Sequence, residues 1–133
     1  MFTRQLTDSN GFTLIEALLA MSLLSIAVFG MFSLLHSVMW YNEFAETVTT
    51  ATTLAQDKVE ALKNTTYSSI TAGTTTETGM DENGTAGAGG IYSRTTTVTI
   101  DPTYSDIKRV TVNVSWGWKG NLKDVTLQTM IKE

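Results

Sequence analysis

From Ala17 to Leu35 the chain runs for 19 residues without a formal charge. As an α-helix such a run spans roughly 28 Å, about the thickness of a bilayer's hydrocarbon core. A segment this apolar leaves few options, because lipid or other apolar helices must solvate it. Glu16 stands immediately before it. A carboxylate drawn into lipid costs about 2.5–3.5 kcal/mol, so a sequence that keeps one there should hold a partner for it.

A secretory signal peptide is the rival reading. It calls for an apolar region of about 7–15 residues followed by a small-x-small cleavage site. Here the run is longer, and Leu35-His36-Ser37-Val38-Met39-Trp40-Tyr41 follows it without such a site. A short hydrophilic leader precedes the run instead, with Arg4 set against Asp8.

Helical periodicity continues past Tyr41. Phe44, Val48, Ala51, Ala55, Val59 and Leu62 recur at spacings of three and four, and Glu43, Glu46, Gln56, Asp57, Glu60 and Lys63 fit a wet face. Asn64-Thr65-Thr66 is the expected stop. One helix from Phe12 to Lys63 is expected, close to 80 Å at about 1.5 Å per residue. Its soft points are Gly30 and the threonine-rich run Thr47–Thr53, whose β-branched residues lose rotamer freedom.

Thr71 to Gly90 is rich in Thr and Gly, with Met80 its one large apolar anchor, and reads as a mobile loop. Beyond it the period becomes two. Tyr92, Arg94, Thr96, Val98 and Ile100 share one side of a strand that Asp101-Pro102 ends. Val110, Val112, Val114 and Trp116 line a second strand, and Val125, Leu127, Thr129 and Ile131 a third, with Lys119-Gly120-Asn121 as the hairpin turn between them. The expected fold is α+β: a long N-terminal helix packed on a small three-stranded antiparallel sheet. The boundaries are a leader at 1–11, an apolar helix half at 12–41, and a head at 42–133. Within the head we place helix 42–64, a flexible loop 65–90 and the sheet 91–132.

Gly11-Phe12-Thr13-Leu14-Ile15-Glu16, followed by Ala17-Leu18-Leu19-Ala20-Met21, resembles the processing site of type IV prepilins and type II secretion pseudopilins. The resemblance implies that a prepilin peptidase cuts between Gly11 and Phe12 and that Phe12 is then N-methylated. Glu16 becomes the fifth residue of the mature chain. Either it pairs with its own new amine one turn away, or it attracts the amine of Phe12 on a neighbouring subunit; the second reading is favoured. Lys108–Trp116 with Val125–Ile131, and Leu54–Lys63, are similar to the matching parts of PilV-type minor pilins and GspI-type minor pseudopilins. Family members often carry a proline near the position of Ser33, and this chain has none there.

The resemblance implies a minor pilin of a bacterial type IV pilus, held in the inner membrane by a single span with a cytoplasmic N-terminus until it joins the filament. Its partners are the prepilin peptidase/methyltransferase, the membrane and other pilins. The alternatives are a minor pseudopilin of a type II secretion system, in a periplasmic pseudopilus, and a DNA-binding pilin for DNA uptake.

Catalysis has little to work with. There is no cysteine and a single histidine, His36, which leaves no ready nucleophile–base pair or metal cage. No enzyme activity, cofactor or metal is expected. Gly84 to Gly90 lacks the Lys-Ser/Thr of a phosphate loop, and Asp81-Glu82-Asn83 reads as a solvated acidic turn rather than a calcium site. Arg94, Lys108, Arg109, Lys119 and Lys123, interleaved with Trp116 and Trp118, are candidates for a nucleic-acid surface. Alternation puts Trp116 on the core face and the net charge is −4, so no nucleic acid is expected. Asn-x-Ser/Thr matches at Asn64, Asn83 and Asn113 carry no weight in so threonine-rich a chain.

Overall fold

The computed structural model of the protein describes residues 11–133. The expected leader, apart from Gly11, and the Arg4–Asp8 balance lie outside the described residues. Helix α1 covers Leu14–Lys63, two residues later at its start than the sequence suggests. It stops at the expected Asn64-Thr65-Thr66, where the Asn64 and Thr65 amides donate back to the Glu60 and Leu62 carbonyls. Lys63 in the last turn suits the negative end of the helix dipole.

The chain divides into two compact units at Asn42/Glu43. In the first, every residue from 11 to 42 is exposed. Leu14, Leu18, Leu23, Ile26, Phe29 and Leu34 lie on all sides of α1 and each keeps more than half of its surface. The second unit, Glu43–Glu133, holds the core.

Within that core the threonine-rich stretch is helical after all. The hydroxyls of Thr47, Thr49, Thr52 and Thr53 donate to the carbonyls of Phe44, Ala45, Val48 and Thr49 one turn back. Ala51 among them and Leu54 and Ala55 just after them are buried. Packing outweighs the weak propensity here.

The sheet has four antiparallel strands, not three, in the order β1 (Gly73–Met80), β2 (Tyr92–Ile100), β3 (Ile107–Trp118) and β4 (Asn121–Lys132). The segment taken for a mobile loop supplies a short 3₁₀ turn at Tyr67–Ser69 and all of β1. β1 is an edge strand with only Met80 buried, so it carries no apolar alternation to betray it. Its threonines pair instead with those of β2, Thr74 with Thr97 and Thr76 with Thr95, through hydroxyl contacts of 3.2 and 3.3 Å.

An extra residue at Thr78-Gly79 shifts the register between Glu77↔Arg94 and Met80↔Tyr92, with Gly79 at φ +62°. The turn that follows is hydrogen-bonded. The Gly87 amide donates to the Thr78 carbonyl and the Gly90 amide to the Gly79 carbonyl. Asp81 Oδ1 accepts from the Asn83 and Thr85 amides.

Lys119-Gly120 turns β3 into β4 as expected, with φ of +48° and +80°, the signature of a type I′ hairpin. One face of the sheet, built from Tyr92, Arg94, Thr96, Val98, Val110, Val112, Val114 and Trp116, is buried. Phe44, Val48, Val59 and Leu62 pack against it, so the expected stripe does cover the sheet. Ile100 departs from expectation and stays 52 % exposed. β1 pairs with β2 only as far as Val98, which leaves the end of β2 without that neighbour.

Leu54→Ala should lower the stability of the second unit by about 2–5 kcal/mol through a cavity under the sheet. Gly90→Ala should also destabilise it, because an added Cβ would fall on the Met80 carbonyl, whereas Gly117→Ala meets open space. Denaturant titration of the full chain in detergent, followed by tryptophan emission, separates the two glycines.

Candidate functional site

The start of α1 is built by Thr13. Its carbonyl accepts from the Ala17 amide at 3.1 Å and its hydroxyl from the Glu16 amide at 3.3 Å. Thr13 is thus the N-cap and Glu16 the third helical residue, one half of a capping box. The Thr-x-x-Glu signal before an apolar run was present in the sequence and was overlooked. Glu16 suits the positive end of the helix dipole.

Gly11 and Phe12 precede the cap and Glu16 stands in the first turn, and all three are exposed. Phe12 keeps 87 % of its surface. A Cβ on Gly11 would meet nothing within 4 Å, so nothing inside the chain asks for glycine there. Glu16 has no ion-pair partner among the described residues. Farther along, His36 lies 6.4 Å from the Trp40 ring, both on the exposed surface of α1.

The cations weighed as a nucleic-acid surface are scattered by the fold. Arg94 is only 7 % exposed. Its Nε and NH2 donate to the two Glu77 carboxylate oxygens at 2.9 and 3.1 Å, and its NH1 to the Leu54 carbonyl at 2.9 Å. Lys58 adds a second cation, 3.3 Å from Glu77. Lys108 is buried as well. Its Nζ donates to the Tyr67 and Ile70 carbonyls, both at 2.7 Å, and sits 3.9 Å above the Tyr67 ring. Trp116 is buried beside Tyr92, and Trp118 packs on Phe44. These groups hold the 3₁₀ turn, β1 and α1 to the sheet.

Asp81 spends Oδ1 on its own turn. No cluster of three or more His, Cys, Asp or Glu side chains suited to a metal occurs among the described residues.

Residues 6–32 match the prokaryotic N-terminal methylation motif. That motif is the N-terminal signature of type IV prepilins and pseudopilins, and it implies prepilin peptidase processing and assembly into filaments. Among the described residues α1 is the one helix long and apolar enough to cross a membrane. No curated protein and no solved structure matches the chain.

The Glu77 cluster makes a pH prediction. Hydrogen bonding from Arg94, foremost, holds the Glu77 carboxyl below its ordinary value of 4.5, against the opposing effect of partial burial. A carboxyl depressed in the folded state adds stability above its unfolded value and loses it as pH falls through the folded one. The second unit should therefore weaken on acidification below about pH 4.5. Glu77→Gln should flatten part of that slope, with Asp101 retaining the rest because the Thr103 amide, first of all, lowers its pKa too. Thermal melts of parent and variant between neutral pH and about pH 3 give the comparison.

Proposed function

We propose that the chain is a non-enzymatic minor subunit of a bacterial type IV pilus. The carrying observation is the methylation motif over residues 6–32 joined to a helix whose apolar half is exposed on every side. The precursor waits in the inner membrane with its N-terminus in the cytoplasm. A prepilin peptidase cuts between Gly11 and Phe12, and the new terminus is methylated. The glycine serves the enzyme, because a cleft that accepts a bare backbone would be blocked by a side chain, while the chain itself has room for one.

The apolar half then leaves lipid for the company of other apolar helices, where shape fit supplies the cohesion. Glu16 meets the amine of a neighbour's Phe12 during this transfer. Its presentation on a capped, fixed first turn with no ion partner among the described residues supports that role.

Intact mass of the assembled protein from its host should show loss of residues 1–11 and addition of one methyl group. Retention of Met1–Gly11 in filaments would overturn the proposal. Secretin and secretion-ATPase genes beside this one, in place of pilus motor genes, would move the subunit to a type II pseudopilus.

Glu16→Ala should be cleaved normally yet enter filaments poorly, and Glu16→Asp should be partly defective because its reach is shorter. Immunoblots of sheared filaments against membrane fractions measure this. Assembly of Glu16→Ala at parental levels would restrict Glu16 to a local role.

A further inference from the structure

The tip of the β3–β4 hairpin is built unlike the rest of the sheet. Pairing of β2 with β3 ends at Tyr92↔Trp116. Pairing of β3 with β4 continues through Gly117↔Leu122 and Trp118↔Asn121. The last two rungs and the Lys119-Gly120 turn therefore overhang β2. On one face of this overhang Trp118 packs against Phe44, ring centres 5.5 Å apart. On the other, beside the bare Gly117, Leu122 is 77 % exposed. The tip is apolar on both faces and carries Lys119 and Lys123, both exposed.

Lys119 also occupies a left-handed conformation, φ +48°. That position of a two-residue turn favours Asn, Asp or Gly, and a lysine held there at a conformational cost invites a functional explanation. Its Nζ lies 5.6 Å from the Trp118 ring centre, so an indole and an ammonium share one corner. Trp and Lys together are the side chains that settle at a lipid–water boundary, the ring among the headgroups and the ammonium reaching out to phosphate.

Chain connectivity brings such a boundary within reach. Phe44, the residue that Trp118 touches, follows Tyr41 at the end of the apolar segment by three residues. Three residues of chain reach at most about 11 Å. Trp40 and Tyr41 supply interfacial aromatics on α1 itself.

We propose that, before assembly, the Trp118–Lys123 hairpin tip inserts into the headgroup region of the bilayer that holds the apolar half of α1. It prefers anionic lipid through Lys119 and Lys123. The inference rests on the membrane-anchored reading above. Glu43 and Glu46 flank Phe44, and Asp124 accepts hydrogen bonds from Asn113 and Thr126.

The chain has no cysteine, so single labels are simple to place. Full-length Leu24→Cys, Leu122→Cys and Thr103→Cys, each carrying an environment-sensitive fluorophore, are reconstituted in phosphatidylcholine vesicles with or without phosphatidylglycerol. Lipids bearing quenchers at shallow or deep acyl positions report depth. The expected result is deep quenching at Leu24, shallow quenching with a blue shift at Leu122, and neither at Thr103, which lies in the β2–β3 loop at the other end of the sheet.

Lys119→Asn with Lys123→Gln, which keeps a turn-compatible residue at position 119, should abolish the phosphatidylglycerol preference of the Leu122 label without lowering the melting temperature followed by far-ultraviolet circular dichroism. A water-exposed Leu122 label with Leu24 deeply quenched overturns the inference and spares the anchor. An unquenched Leu24 label overturns the anchor, and the inference with it. Leu122 quenching that grows with protein-to-lipid ratio points to a second copy of the chain and also overturns the inference.

Discussion

Burying the guanidinium of Arg94 is the constraint around which the second unit is organised. A charge removed from water must be paired and its donors satisfied, or it costs several kcal/mol. Three elements meet that demand: the Glu77 carboxylate from β1, the Leu54 carbonyl from α1, and the strand β2 that carries the arginine. Through Glu77 the same contact reaches Lys58, one turn beyond Leu54. An edge strand with one buried residue would otherwise have little to hold it. Lys108 does the corresponding work for the 3₁₀ turn, with its ammonium shared between two carbonyls and a tyrosine ring.

That arrangement explains which parts of the fold were legible in the sequence. Wherever one side of an element is apolar, period and burial agree, and the stripe Phe44–Leu62, the faces of β2 and β3, and the Lys119-Gly120 turn could be read directly. β1 escaped because both of its sides are polar: its side-chain ties are threonine hydroxyls and the ion pairs of Glu77 with Arg94 and Lys58. Arg94 carried the missing hint. Alternation placed a cation among Tyr92, Thr96 and Val98, and an inward arginine requires a carboxylate. Glu77, in the stretch set aside as a loop, was the acid that met it. The site was legible by resemblance, since Gly11, Phe12 and Glu16 mean little to periodicity. The Thr13 cap was readable on physical grounds alone.

The two units differ in how they handle apolar surface. In Glu43–Glu133 the large side chains of the core meet across helix and sheet, and Val110, Val112 and Val114 are wholly buried. Between Phe12 and Tyr41 nothing among the described residues covers Leu, Ile, Met or Phe. Each such side chain forfeits about 1.5–3 kcal/mol if left in water. Such surface suits a bilayer or the apolar helices of neighbours, the two surroundings proposed for it above.

Charge at the head of α1 follows the same logic. Thr13 satisfies the Glu16 amide, so the first turn holds its shape without help from the Glu16 carboxylate. Cleavage after Gly11 would create a positive amine at the positive end of a helix dipole, an unfavourable placement that a nearby carboxylate offsets. In water that offset is small; among apolar helices, where the effective dielectric is lower, attraction between the two charges grows severalfold. An uncompensated amine or an uncompensated Glu16 would each be costly there. Packing apolar segments side by side thus favours arrangements in which every amine finds a carboxylate. In the filament proposed above, one charge of each sign per processed chain would be the minimum that lets a non-directional apolar surface specify how far one subunit is displaced along the next.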